Sequence, residues 1–393
     1  MAIKNYAYIN SEMLRWARGE TPFVTAEEAV SYLSGITAEK LTAWEEGSDY
    51  PSINEAKKLA TVYRVPFACF YLSSPPEKRV KRYTDRRTFN GTVYCETSYE
   101  LWSEINRIVS NREKLLEYID ETENLSCAFP TFSPDLSIEA IGDNLRAYLG
   151  VVLPFRNKSA YKNNAFNYFR SAFERKGILV AQVSGVSINE MRGLSVFYDT
   201  FPIIAINNKD YERAKVFSLF HELAHLARRS SSLCSIDFDE RNDDEEKLCD
   251  RIAAATLLPK TSFCEVANRI YSLHSEWSSA CLCDIGDKFG VSSLVVLRRL
   301  YDLGLIHRTT YFQTYKALND EFEASRILIE MHHKGKNIPV HYYIKYLNQQ
   351  GYLFPRTILN AHANGKLTYG EMCRTLNVNS KHIGDIEQAV MFK

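Results

Sequence analysis

His221 and His225 stand four residues apart in Phe220-His221-Glu222-Leu223-Ala224-His225. On a helix that spacing puts both imidazoles on one face, one turn apart, where they can grip a single ion. Glu222 is turned by about 100° around the same axis. Its carboxylate can stand beside the ion, take a proton from water and pass it to a leaving amine. Imidazoles so spaced suit zinc, which in a catalytic site needs a third protein ligand and an open fourth position. The next acidic run, Asp243-Asp244-Glu245-Glu246, offers that ligand. It leads into Leu248 to Pro259, an Ala-rich helix on which Glu246, Asp250 and Ala253 share one face. Glu246 is the best-placed third ligand, and Asp250 is a candidate to hold a ligand from behind. Cys234, between the two helices, is a candidate regulator whose thiolate would fill the fourth position until oxidised or displaced. A lone histidine on an apolar helix is usually a hydrogen-bonded core residue. The five-residue pattern arises by chance on the order of once per hundred chains, so the elements around it have to decide.

The elements favour the metal. The segment 210–228 is apolar on most sides, with Val216, Phe217, Leu219, Phe220, Leu223, Ala224 and Leu226, which predicts a buried helix. Two histidines and a glutamate at the centre of such a helix need a purpose. Ahead of it the period changes, and Ile178 to Val183, Leu194 to Tyr198 and Ile203 to Ile206 read as strands. The middle one is a candidate free edge, to which an extended peptide could add as a further strand. Helices are expected over 97–121, 138–149 and 160–176, and are expected to dominate from about Tyr211 to the end.

The first 76 residues read as short helices with tight connections. Thr25 is an N-cap with Glu28 three residues on, Thr37 caps a helix that Gly47 ends, and Ser52 precedes another from Ile53 to Tyr63. Two short helices joined by a Gly-containing turn make a helix-turn-helix pattern. Charge argues against DNA as its main partner. Between Glu20 and Ala60 there are eight acidic and three basic residues, whereas a groove-entering helix should present Lys, Arg, Asn or Gln. Protein docking is favoured; phosphate contact through Arg15, Arg18 and the basic stretch 78–87 stays open.

Over the whole chain, 48 basic and 48 acidic side chains cancel, so no global attraction to nucleic acid or membrane follows. No apolar run is long enough to span a bilayer, and the first residues lack a signal-peptide core. Nine cysteines, an odd number without a paired framework, suggest free thiols in a reducing cytoplasm.

Beyond the five-residue motif, three blocks resemble the ImmA/IrrE metallopeptidases. They are Met191-Arg192-Gly193-Leu194-Ser195, Ile203-Ile204-Ala205-Ile206-Asn207 and Arg213 through Leu226. Glu246-Lys247-Leu248-Cys249-Asp250-Arg251-Ile252-Ala253-Ala254 resembles that family's Glu-x-x-(Ala/Cys)-Asn-x-x-Ala-Ala helix, with Asp250 in place of the usual Asn. Residues 12–76 resemble the phage-repressor-type (XRE-like) domain often fused ahead of such peptidases, and 284–306 the small helical unit that follows the site. The resemblance implies one zinc per chain, held by His221, His225 and Glu246, with Glu222 as general base. It implies a zincin-like core and cleavage of a separate helix-turn-helix repressor or antitoxin-like protein, derepressing stress, phage or mobile-element genes. The expected organisation is 1–76 helix-turn-helix domain, 77–159 linker and helical region, 160–306 peptidase core, and 307–393 C-terminal helical region. The fold class is α+β, predominantly helical, with a small antiparallel sheet. The alternative is a non-catalytic, metal-containing transcription regulator. An intact Glu222 speaks against it, since a structural site needs no base and is closed by a fourth protein ligand.

Overall fold

A computed structural model describes residues 5–76, 98–119, 136–155, 165–229, 232–234, 243–333 and 340–391. The basic stretch 78–87 lies outside the described residues. The chain divides into two compact units, Met1–Ser110 and Asn111–Lys393.

In the first unit α1 (Ser11–Gly19), α2 (Ala26–Val30), α3 (Ala38–Glu46) and α4 (Ile53–Val62) precede a 3-10 turn, Phe67–Tyr71. The caps fall where side-chain chemistry predicts. Thr25 and Ser52 form capping boxes with Glu28 and Glu55, Thr37 accepts from the Lys40 amide, and Gly47 ends α3 in the left-handed region at φ 78°. The four helices close over Leu14, Leu41, Trp44, Leu59, Tyr63 and Phe70. Arg18 is tied into this unit. It donates to both Glu45 oxygens at 2.8 and 2.9 Å and to the Val24 carbonyl at 2.8 Å. α5 (Tyr99–Tyr118) runs across the boundary between the units.

The second unit continues with α6 (Ile138–Leu149) and α7 (Ala165–Glu174). Strands β1 (Leu179–Val183), β2 (Gly193–Val196) and β3 (Ile203–Asn207) follow, then α8 (Glu212–Ala227), β4 (Ser232–Cys234) and α9 (Asp243–Leu257). Helices α10 (Lys260–His274), α11 (Ser279–Phe289) and α12 (Ser293–Asp302) complete the body around the site. The C-terminal helices are α13 (Arg308–His333), α14 (Tyr342–Gln350), α15 (Leu353–Ala363), α16 (Tyr369–Leu376) and α17 (Ile383–Met391). The protein is mostly helical around one small sheet, as its sequence pattern indicates. No helix among the described residues is long and apolar enough to cross a membrane.

The sheet order is β1-β3-β2-β4. Two expectations change here. The sheet is mixed, because β3 pairs antiparallel with β2 but parallel with β1. The connection 184–192 carries the chain past one strand position, and β3 returns into the slot left open. A strand antiparallel to β2 in that slot must run with β1. β2 is also not an edge: β4 pairs antiparallel along its outer side, Gly193 opposite Cys234. Every residue of β1, β2 and β3 is buried, so both faces are covered, which suits their near-continuous apolar runs.

α6 and α9 approach until a Cβ on Gly142 would lie 2.8 Å from the Ala255 carbonyl carbon. Small residues on both helices permit this, and Arg146 Nη1 donates to the Ala255 and Thr256 carbonyls at 2.6 and 2.9 Å, closing the end of α9. Gly142→Ala should therefore push the ligand-bearing helix outward and lower stability by about 1–3 kcal/mol. Urea denaturation reads the change; an unaltered midpoint would mean that α6 can shift without loss.

Candidate metal centre

α8 is positioned from both ends. Asp210 Oδ1 accepts the Tyr211 amide just ahead of the first turn, at 2.9 Å. Below it Phe169 and Phe173 meet Phe220 edge-on, with ring centroids 5.0 and 5.2 Å apart. Those contacts press one face of α8 into the core and fix its rotation, so the histidine face turns toward α9 and Glu222 toward β2. His221, Glu222 and His225 are all buried, Glu222 completely.

Three donor atoms converge between α8 and α9. The Nε2 atoms of His221 and His225 are 3.1 Å apart, and Glu246 presents Oε2 to His221 at 3.1 Å and Oε1 to His225 at 3.4 Å. Donors placed 2.0–2.1 Å from a tetrahedral ion stand about 3.3 Å from one another. The two Nε2 atoms and the nearer Glu246 oxygen of each pair stand close to that spacing, one carboxylate oxygen facing each ring, and two imidazoles with a carboxylate are a donor set that zinc accepts. Among the described residues these three form the one group able to hold a metal. Burial raises the Glu246 carboxyl, but hydrogen bonds and charge from His221 and His225 outweigh it and hold the group well below the usual carboxylate range. Glu246 is thus an anion, as a ligand must be.

The partners behind the ligands come from α9 as well. Asp250 Oδ1 lies 2.9 Å from Nδ1 of His221. With Nε2 given to a bound ion, Nδ1 would carry the proton and donate it to Asp250, which would fix the tautomer and the ring plane. Cys249, completely buried, places Sγ 3.7 Å from Nδ1 of His225.

Glu222 is held on the opposite side by β2. A Cβ on Gly193 would lie 2.3 Å from Glu222 Oε1 and 3.0 Å from its carboxyl carbon, so the strand can pass only because position 193 lacks a side chain. Two anchors hold β2 there. Asn207 Nδ2 donates to the carbonyls of Val186, Ser187 and Met191, which clamps the connection leading into Gly193. Arg112 donates to the carbonyls of Phe201 and Thr200 and stacks 3.5 Å over the Tyr198 ring, which fixes the turn after β2. Gly193→Ala should displace the Glu222 carboxylate while leaving the three ligands in place. Turnover should fall roughly 10²-fold, as for a misplacement near 1 Å, with zinc content unchanged by elemental analysis. Wild-type turnover would show that the carboxylate has room elsewhere.

His221, His225, Glu246 and Asp250 therefore meet in space, with Glu222 one residue along the same helix, facing Gly193. Of Cys234 the structure describes only the backbone; its side chain, on which the switch idea rests, lies outside the described residues. Two contributors were missed from sequence. Cys249 lies three residues beyond Glu246, on the helical period that singled out Asp250, so a signal existed. Gly193 stood only within the block 191–195 that carries the family resemblance, and its contact with a residue 29 positions away could not be read from the sequence.

Residues 173–301 match the Peptidase_M78 family model, described as the IrrE N-terminal-like domain. The match runs from the end of α7 into α12 and encloses Gly193, His221, Glu222, His225, Glu246, Cys249 and Asp250. No curated protein matches the chain. Residues 173–301 are thus similar to the IrrE N-terminal-like domain and hold a candidate His-His-Glu metal site.

Proposed function

We propose that the protein is a zinc-dependent endopeptidase in which His221, His225 and Glu246 hold the ion and Glu222 is the general base. The convergence of His221, His225 and Glu246, with the buried Glu222 carboxylate on the same turn of α8, carries this reading. Bound zinc would supply Lewis acidity toward a peptide carbonyl and acidify an attacking water. The chain's own residues do the rest. Glu222 takes the proton of that water on its carboxylate and delivers it to the departing amine, so acid and base are one group used twice. Asp250 keeps the His221 ring plane fixed while charge builds up in the site. The burial of Glu222 strengthens its own interaction with that water.

The proposed substrate is a separate helix-turn-helix repressor or antitoxin-like protein, with the N-terminal unit docking it. The exposed positions of α3 include Glu39, Lys40, Thr42 and Glu46, a net acidic surface unsuited to a phosphate backbone but able to face a basic DNA-binding protein. Free thiols at Cys69, Cys249, Cys264, Cys281, Cys283 and Cys373 suit a reducing compartment. Metal analysis of the purified chain, together with co-expression of candidate repressors, tests the reading. One zinc per chain and a cleaved partner are expected. A chain that takes up no metal, or an intact partner across a panel of repressors, would overturn it.

A further inference from the structure

We infer that Cys249 is a positioning residue for the metal site, its sulfur accepting the Nδ1–H of His225 and so aiming Nε2 at the ion. This rests on the reading of His221, His225 and Glu246 as a metal centre.

An imidazole that offers Nε2 to a cation carries its proton on Nδ1, and a buried N–H needs an acceptor. His221 meets that need through Asp250 at 2.9 Å. His225 is buried more deeply, at 2% exposure, and Sγ of Cys249 stands 3.7 Å from its Nδ1, within reach of an N–H···S bond. Cys249 is itself at 0% exposure, so solvent does not compete for the sulfur.

The helix geometry makes the arrangement one unit. Glu246, Cys249 and Asp250 occupy positions i, i+3 and i+4 of α9, which lie together on one face. That face lies along His221 and His225, which are i and i+4 on α8. One turn of α9 thus supplies a ligand and an orienting partner for each histidine. The partners differ in strength: a carboxylate for the more accessible ring, a weakly accepting sulfur for the deeper one. A carboxylate behind His225 would add a further anion to the partly buried Glu246 and the buried Glu222, whereas a thiol adds an acceptor without a full charge.

The test uses the full chain and two substitutions of similar size. Cys249→Ser keeps an acceptor, and Cys249→Val fills the space without one. Zinc affinity is read by competition with a chromophoric chelator, the ligand field by the visible spectrum of the cobalt-loaded chain, and packing by the melting temperature of the metal-free chain. Cys249→Val should bind zinc about tenfold more weakly, the low end for loss of a partner behind a ligand, and shift the cobalt bands. Cys249→Ser should stay within about twofold of wild type. Wild-type affinity in Cys249→Val overturns the inference. So does an equal loss in both variants that follows their melting temperatures, since packing alone would then explain it. If the wild-type chain takes up no zinc, the metal-centre reading fails separately. The His225 tautomer is then read in the metal-free chain from long-range proton–nitrogen correlations. Retention of the Nδ1–H form in wild type and Cys249→Ser, with its loss in Cys249→Val, supports the inference; an unchanged tautomer in Cys249→Val overturns it.

Discussion

Glu222→Gln should fold and load zinc like the wild type and cleave its protein substrate about 10³-fold more slowly. The reason lies in how little the substitution changes. Gln has the size and shape of Glu, and the side chain sits at 0% exposure against Gly193, where a smaller residue would leave a cavity. None of the ligand atoms of His221, His225 or Glu246 is touched. What disappears is the basic oxygen: an amide neither takes a proton from water near neutral pH nor returns one to the amine. Zinc content, melting temperature and cleavage by mass spectrometry are measured on the same preparation. Cleavage at the wild-type rate would remove Glu222 from the mechanism. Loss of metal would recast it as part of the metal's support.

The second large effect is at a buried ion pair on α7. Arg170 on α7 is completely buried, and its Nε lies 3.5 Å from Glu174 Oε1 one turn along. Arg170 also donates to the Val180 carbonyl of β1 at 2.7 Å and to the Asn348 carbonyl of α14 at 3.0 Å, while Glu174 accepts the Tyr352 amide at 2.9 Å. The pair therefore fastens the α14–α15 corner to the sheet. Gly351, at φ 82°, passes so close that a Cβ would lie 2.4 Å from Glu174 Oε1. Arg170→Met leaves a buried carboxylate without its counter-charge and should lower stability by about 3–5 kcal/mol. Replacing both, Arg170→Met with Glu174→Leu, should recover much of it, because the uncompensated charge is gone.

The sign of the pH dependence follows from the same pair. Burial raises the Glu174 carboxyl, and the Arg170 charge and the Tyr352 amide pull it back. Without Arg170 the folded-state value rises further above the unfolded one. Stability from the protonated form is then full below the unfolded value and is lost as pH rises through the folded one. The deficit of Arg170→Met against wild type should therefore be larger at pH 8 than at pH 5 in urea denaturation. A pH-independent deficit would show that the lost carbonyl bonds, rather than the orphaned carboxylate, set its size.

Much of this protein is local and could be read from its letters. The caps at Thr25, Thr37 and Ser52 act within three residues, and the structure places them as the side-chain chemistry predicts. The 3.6-residue period carries His221 and His225 to one face, and the same period gives Glu246 and Asp250 a common face on α9. The strands at 179–183 and 203–207 announce themselves by apolar runs ahead of the helix. β4 did not, because three residues are too short for a pattern and its pairing with β2 is the only reason it is a strand. The mixed order of the sheet was hidden for the same reason, since strand partners are chosen by distant segments.

Which residues are one turn apart is settled by the chain itself, and so the type of chemistry at His221, Glu222 and His225 was fixed before any folding. Whether that chemistry can occur depends on packing between elements far apart in sequence. Glu246 closes the triangle because α9 can lie close to α6 and α8. Glu222 has its place because Gly193 leaves it room. His225 finds a sulfur because α9 is rotated to face α8. Each of these depends on side-chain volumes summed over a whole core, a quantity that no window of the sequence contains.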